Sequence, residues 1–544
     1  MFSYKNKRIL IVDDQRPFHV MLKMMLTNKG AQNISFADSA DDAAHLAHNK
    51  EFDIYLIDYN LGSGKNGSQL LGYLRENDLM PITAICFIIT GDNDKGMVLT
   101  AIEKAPDDYL IKPFSQSQLF HRLNNSSEKK LVLSDIFDAL AEKKYDKAIL
   151  LCKEKIKKEI KYLSVCKNLL ADILITTKQY DAAEKLLKTL VDNRPLVRVS
   201  ITLGKVYCLQ KKYTKAITIL KNVIFNTPLQ MEAYEWLARA YQGNEELTKA
   251  LDILTHAANM TNHSIDRHQE VALLANEMNE HKIMLGSYQS ILQLSRNSFY
   301  PDPCHLANYI RSIINYANGQ KKMSERKSIL RQVKSTLYQS RFEEGRNKNF
   351  DFNRFEEICQ ANVFLAQGET LKAKRRILNT LENNKTPINK LDDTFLCESL
   401  FSLLEIGEFE YANAYIKELE QRDIIDQTTQ IAISEKTGDV LDKRIEEFKA
   451  HNKLGIKAFV AKSYKTALDH FNKALILEPL NSGALLNRIQ VFIQLLKQQQ
   501  NNEKEDQVNK CQNSFKLLSN TQLPTEHIKR YKALHEEFTE LKKD

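Results

Sequence analysis

Residues 53–61 read DIYLIDYNL, a short apolar run that ends on a carboxylate, Asp58. The run reads as a strand, Asp53–Ile57. Similar runs recur at Arg8–Val12, Ile34–Ala37, Ala84–Thr90 and Tyr109–Ile111. Helical patterns fall between them, at Pro17–Lys29 and Ser39–His48 among others. Five strands with interleaved helices predict a parallel α/β sheet over residues 1–125.

An open parallel sheet presents its reactive groups at the carboxyl ends of its strands. The first strand ends in Asp13 and Asp14, the third in Asp58, the fourth in Thr90 and the fifth in Lys112–Pro113. Three carboxylates, a hydroxyl and an ammonium are therefore expected along one edge. Clustered carboxylates repel one another unless a cation lies among them. Hard oxygen donors suit Mg²⁺, which also neutralises charge on a phosphoryl group moving onto a carboxylate. Lys112 and Thr90 are placed to pair with the phosphoryl oxygens, and Asp58, central among the strands, is the natural acceptor.

RILIVDD (8–14), DIYLIDYNL (53–61), CFIITGD (86–92) and DDYLIKPF (107–114) together resemble the CheY-like receiver domain of two-component response regulators. The resemblance covers residues 7–123. It implies a flavodoxin-like fold with strand order 2-1-3-4-5 and phosphorylation of Asp58 by a sensor histidine kinase. It further implies that Asp13, Asp14, Asp58 and the backbone carbonyl of Asn60 hold Mg²⁺. Thr90, Tyr109 and Lys112 would be the switch residues, and Lys112–Pro113 a cis peptide. One departure stands out. The family usually has Met-Pro where this chain has Leu61–Gly62, and the loop GSGKNG that follows is slightly long. That loop is similar to a phosphate-binding loop only superficially: the upstream glycine is missing and Asn66 stands where Ser or Thr is needed.

Beyond residue 131 the strand pattern disappears. Ala148, Ala183, Ala216 and Ala250 recur at steps of 35, 33 and 34 residues, with Leu187, Leu220 and Leu254 four positions after the last three. Prolines close two copies, at Pro195 and Pro228. LGKVYCLQKKYTKAITIL from Leu203 and LARAYQGNEELTKALDIL from Leu237 resemble the tetratricopeptide repeat, in which two helices cross where only Gly or Ala fits. Leu454, Gly455, Ala467, Phe471, Ala474 and Pro479 form a further copy near the C-terminus, and weaker ones contain Ala361, Phe364, Ala373 and Ile377, and Gly407, Ala412, Ile416 and Leu419. The expected organisation is a receiver at 1–125, a polar linker at 126–131 within NNSSEKK, and repeats at 132–262. Irregular helical hairpins follow at 263–350, repeat-like hairpins at 351–440, and a C-terminal repeat with capping helices at 441–544. The whole is an α/β receiver followed by an all-α solenoid.

Net charge is +8, yet residues 1–125 hold 13 Lys/Arg and 15 Asp/Glu, so the excess is spread thinly over the rest. Such dilution makes no case for nucleic acid. The eight cysteines include no CxxC pair, and together with the absence of a targeting or membrane-spanning run they indicate a reduced, cytoplasmic protein. Trp236, the sole tryptophan, is expected to pack in or beside the repeat core, and Gln498–Asn502 to be a solvated helix end. Nothing after residue 131 reads as a catalytic output, so the chain is not expected to be an enzyme. The expected function is regulation of protein–protein contacts, with an unknown protein partner in the groove of the repeat arm and no membrane insertion. The alternatives are a phosphate sink or kinase-binding inhibitor, or a transcription regulator with a cryptic DNA-binding surface.

Overall fold

The computed structural model describes residues 3–541 except 63, 92–105, 159–160, 194–195, 262–263, 297, 300, 346, 383–385, 425, 499–503 and 520–524. Asp92, Ser63, Pro195 and most of the run Gln498–Asn502 lie outside the described residues. The chain divides into two units, Met1–Pro301 and Asp302–Asp544.

Five parallel strands, β1 (Arg8–Val12), β2 (Asn33–Ala37), β3 (Ile54–Asp58), β4 (Ile85–Thr90) and β5 (Asp108–Ile111), form one sheet in the order β2-β1-β3-β4-β5. Alternate residues of β1 serve different cores. Ile9 and Ile11 pack with Leu22 and Leu26 of helix α1 (Arg16–Thr27) and Leu119 and Leu123 of helix α4 (Gln116–Val132). Leu10 and Val12 pack on the other face with Ala43 of α2 (Ala40–Asn49) and Leu70, Leu71 and Leu74 of α3 (Gly67–Glu76). Burial on both faces explains why the strands read as unbroken apolar runs.

The expected linker at 126–131 is instead part of α4, which starts at a Ser115–Gln118 capping box and continues to Val132. Its polar composition has an internal explanation. Ser126 and Ser127 are buried, and Lys129 and Lys130 pair with Asp107 at 3.7 and 3.1 Å. Lys130 Nζ also donates to the carbonyls of Ile82, at 2.9 Å, and Ala84. A stretch that looks solvated in sequence thus holds α4 to the sheet.

From Ser134 onward the described elements are helices, with one short 3-10 turn at Ile388–Lys390. Helices beginning at Leu163, Val197, Met231 and Ile265 are each 34 residues apart. Their partners begin at Tyr145, Tyr180, Tyr213, Leu247 and His281. The regular spacing therefore continues to Ser295, past the expected limit at residue 262. That copy escaped the sequence pattern because Met284 stands where the others have alanine. Met284 is 3% exposed, its unbranched chain fitting a gap shaped for a smaller residue, while the small residue survives on the facing helix as Ala272.

Ala148, Ala183, Ala216, Ala250, Ala373, Ala412 and Ala467 are all fully buried. A Cβ added to Gly204 would sit 2.6 Å from the Leu220 side chain, and one on Gly455 2.7 Å from the Phe471 ring, so in both copies the partner helix packs a side chain directly on the glycine backbone. The C-terminal copy departs in one respect. Leu454 is 46% exposed, where Leu203 and Leu237 are buried, and the preceding helix, Gln427–Lys436, is only ten residues long and offers little to cover it. Trp236 is half-buried and lies between Lys205 and Arg239, 5.3 and 4.7 Å from its ring centre.

The turns carry a second register. Lys143, Lys178, Lys211, Glu245, Asn279, Gly368, Gly407 and Lys462 all have φ between 56° and 79°. Each precedes the small-residue position, or Met284, by five residues. A left-handed residue closes the first helix and reverses the chain, and glycine suits it best because a side chain there costs about 1–2 kcal/mol. We therefore predict that Lys211→Gly leaves the arm folded and raises its stability by up to about 1 kcal/mol. Lys211→Val, β-branched at a positive φ, should lower it. Chemical denaturation of the two variants measures both effects.

Candidate functional site

β1 and β3 are neighbours, so their carboxyl ends bring Asp13, Asp14 and Asp58 together, with one oxygen of each within 4.8 Å of the others. Asp13 and Asp58 are 1% and 5% exposed, whereas Asp14 faces solvent. β4 lies on the other side of β3, and the Lys112 backbone N–H donates to the Thr90 carbonyl at 2.7 Å. That bond sets the start of the Lys112–Pro113 cis peptide beside the cluster.

Lys112 crosses the cluster: its Nζ donates to Asp13 Oδ2 at 2.8 Å and to Asp58 Oδ2 at 2.7 Å. The ammonium also lies 3.8 Å from the ring centre of Phe18, whose other neighbour is Phe114, edge-on at 5.9 Å. The aromatic face and the two carboxylates together fix the lysine's position. Gln15 donates its backbone N–H to Asp13 Oδ1 at 2.8 Å, and Asn60 donates to Asp58 Oδ1 at 3.4 Å. Thr90 is buried at the end of β4, one residue beyond the partner of Asp58 in the ladder. Tyr109 is half-buried in β5 against the α2–α3 core.

Burial raises the Asp58 carboxyl to about 6, with Lys112 opposing the rise and Asp13 adding to it. The site thus carries an uncompensated preference for positive charge. Three hard oxygen donors, two shielded and one open to solvent, fit a small divalent cation such as Mg²⁺. Gly62 leaves room on the open side: it has φ +79°, and a Cβ on it would sit 3.1 Å from Asp14 Oδ2. Gly67 serves the other side, where a Cβ would collide with the Asp58 carbonyl oxygen at 2.1 Å.

All eight residues read from the strand ends and from the receiver resemblance, namely Asp13, Asp14, Asp58, Asn60, Thr90, Tyr109, Lys112 and Pro113, lie at or near these strand ends. Phe18, Gln15 and Gly67 were not singled out from sequence. Only Gly67 left a signal, as a glycine opening a helix. The Leu61–Gly62 departure now has a cause. Leu61 is buried in the α2–α3 core, and Gly62 supplies the left-handed turn beneath Asp14. Asn66 does not hold phosphate; it caps α3 in a reciprocal pair with Gln69.

A raised folded-state pKa makes a carboxyl stabilising below its unfolded value, and the contribution is lost as pH rises through about 6. Asp58→Asn is therefore predicted to raise the melting temperature at pH 7.5 by on the order of 5 °C. The gain should fade below about pH 6, where Asp58 is itself neutral. Mg²⁺ should stabilise the wild type more than the variant. Scanning calorimetry from pH 5 to 8, with and without Mg²⁺, checks each point.

Comparison with known proteins places this geometry. Residues 9–124 match the response regulator receiver domain. The transcriptional regulatory protein YvrH of Bacillus subtilis is 31% identical over 22% of this chain and 48% of its own. The chain thus spans about half the length of that relative. Chemotaxis protein CheY-3 of Vibrio cholerae is 27% identical over 23% of this chain and 95% of its own. Among solved structures, MamA from residue 41 to its end, of Desulfovibrio magneticus RS-1, is 23% identical over 31% of this chain and 97% of that one, with a TM-score of 0.28.

Proposed function

We propose, from the premise that residues 9–124 are a response regulator receiver domain, that the chain takes a phosphoryl group onto Asp58 from a sensor histidine kinase. The helical arm then passes the change on through protein contacts. The observation that carries the reading is the placement of Lys112 Nζ, 2.7 Å from Asp58 and 2.8 Å from Asp13. An ammonium so placed steadies a carboxylate as it accepts charge. An Asp58 carboxylate oxygen attacks phosphorus, the bond from phosphorus to the kinase imidazole breaks, and the electron pair leaves with that nitrogen. Mg²⁺, held by Asp13, Asp14 and Asp58 with the Asn60 carbonyl, would neutralise the phosphoryl oxygens. Lys112 then turns from the carboxylates to the new phosphoryl oxygens, the Thr90 hydroxyl joins it there, and Tyr109 follows Thr90. No helix among the described residues is long and apolar enough to cross a membrane.

Coupling to the arm has two supports. One is α4, which leaves the receiver and is followed at once by the helix Ser134–Ala141. The other is Phe299, beyond the helix His281–Ser295, which stacks on Tyr73 of α3 at 4.2 Å and lies 4.9 Å from Lys65 Nζ. Lys65 belongs to the loop after Asp58 and pairs with Asp41 at 2.7 and 2.8 Å. A change in that loop is thereby felt at residue 299.

A small phosphodonor with Mg²⁺ is expected to add one phosphoryl group, absent in Asp58→Ala and slowed at least about tenfold in Asp14→Asn. Intact-mass measurement over time decides. Labelling that persists in Asp58→Ala would remove the acceptor assignment. Phe299→Ala is expected to cost about 0.5–1.5 kcal/mol of contact and to speed amide exchange in α3 and in residues 288–299. Phosphorylation of Asp58 should continue at its normal rate. Unchanged exchange in α3 would mean that the aromatic contact couples nothing.

A further inference from the structure

We infer that a trough among the helices Met323–Glu344, Phe352–Ala366 and Thr370–Glu382 binds an extended acidic peptide of a partner protein. The inference rests on the reading of the helical arm as a partner-binding element and names the chemistry of that partner. Two cavities, of about 660 and 400 Å³, adjoin there and share Arg341, Asn353 and Arg354. Lying side by side and sharing these residues, they form one continuous hollow.

Their walls carry seven Lys/Arg and four Asp/Glu. Three of the acids are each engaged by an arginine. Glu357 takes both arms of Arg376 at 2.6 and 3.0 Å, Asp351 pairs with Arg354 at 3.1 Å, and Glu356 with Arg341. The fourth, Asp392, caps the helix Asp393–Ile406. These pairs hold the arginines in place without cancelling the remaining charge. Lys348 and Lys390 are exposed at one end, while Lys372, exposed at the other, pairs with Glu369, so the uncancelled positive charge lies toward the Lys348 and Lys390 end. Asn353 and Asn379 add amide donors and acceptors between the charges, suited to a peptide backbone.

Single-stranded nucleic acid is the other polyanion to weigh, and it needs open aromatic faces for its bases. The aromatics on these walls do not offer them. Phe364 is flanked by Lys372 and Arg376 at 5.8 and 5.9 Å, while Phe350 and Phe352 are 6% and 3% exposed. The geometry favours carboxylates on a flexible backbone.

The test is fluorescence anisotropy of the full chain with a labelled ten-residue peptide rich in Asp and Glu. Its Asn/Gln counterpart and a single-stranded oligonucleotide of equal charge are the comparators. The acidic peptide is expected to bind, more weakly as salt rises, and the Asn/Gln peptide not to bind. Reversing two exposed lysines, Lys348→Glu with Lys390→Glu, should weaken binding at least about fivefold and confer binding of a Lys-rich peptide. Both lysines are on the surface, and circular dichroism confirms that the variant is folded. Equal affinity in wild type and variant, or tighter binding of the oligonucleotide, would overturn the proposal. Asp58→Ala should bind the acidic peptide as the wild type does without phosphodonor. The trough therefore stands or falls separately from the phosphorylation reading.

Discussion

The receiver depends on one half-buried ammonium. Lys112 closes a gap between two strands that end in carboxylates, at a place where burial alone would drive Asp58 to its neutral form. Remove the cation, and two shielded acids face each other at the centre of the sheet. The features around it serve that balance: the Phe18 face behind the ammonium, the backbone donors of Gln15 and Asn60, and two glycines that keep side chains out of the cluster. A site built in this way is poised rather than satisfied. Its one cation leaves the carboxylates only partly compensated.

The arm follows a different rule, since its order comes from close approach rather than charge. In seven hairpins among the described residues a buried alanine stands where two helices meet, and a left-handed turn lies five residues earlier. The two features are geometrically linked. A chain that reverses within three or four residues must place its helices near contact, and near contact admits only Gly or Ala at the crossing. Met284, 3% exposed, marks how far that rule bends.

Much of this was legible in the sequence, for different reasons in the two parts. The receiver's central strands β1, β3 and β4 are buried on both faces, so their apolar runs stand out, and the candidate site residues follow from where the runs end. The repeat was legible wherever alanine occupied the crossing, and was lost at Met284, where a flexible side chain does the same work. The left-handed turns gave no signal because lysine, glutamate and asparagine hold most of them. Polar residues misled most at 126–131: serines and lysines indicate solvent only when nothing nearby can bury or pair them, and here Asp107 and the carbonyls of Ile82 and Ala84 do. Contacts between distant segments, such as Phe18 with Lys112 or Phe299 with Tyr73, leave no local trace.

The unbroken run of α4 from Gln116 to Val132 has a mechanical consequence. A flexible tether would let the first hairpin find its place whatever the tether's length. A helical shaft transmits angle, and its residue count becomes a phase. One residue inserted between Asn125 and Lys130 would turn everything beyond it by about 100° and advance it by about 1.5 Å. Four inserted residues would nearly restore the original heading, a few ångströms further out. Length variation in this helix is therefore quantised in turns, so that relatives keeping the same receiver-to-arm geometry should differ here by whole turns or not at all.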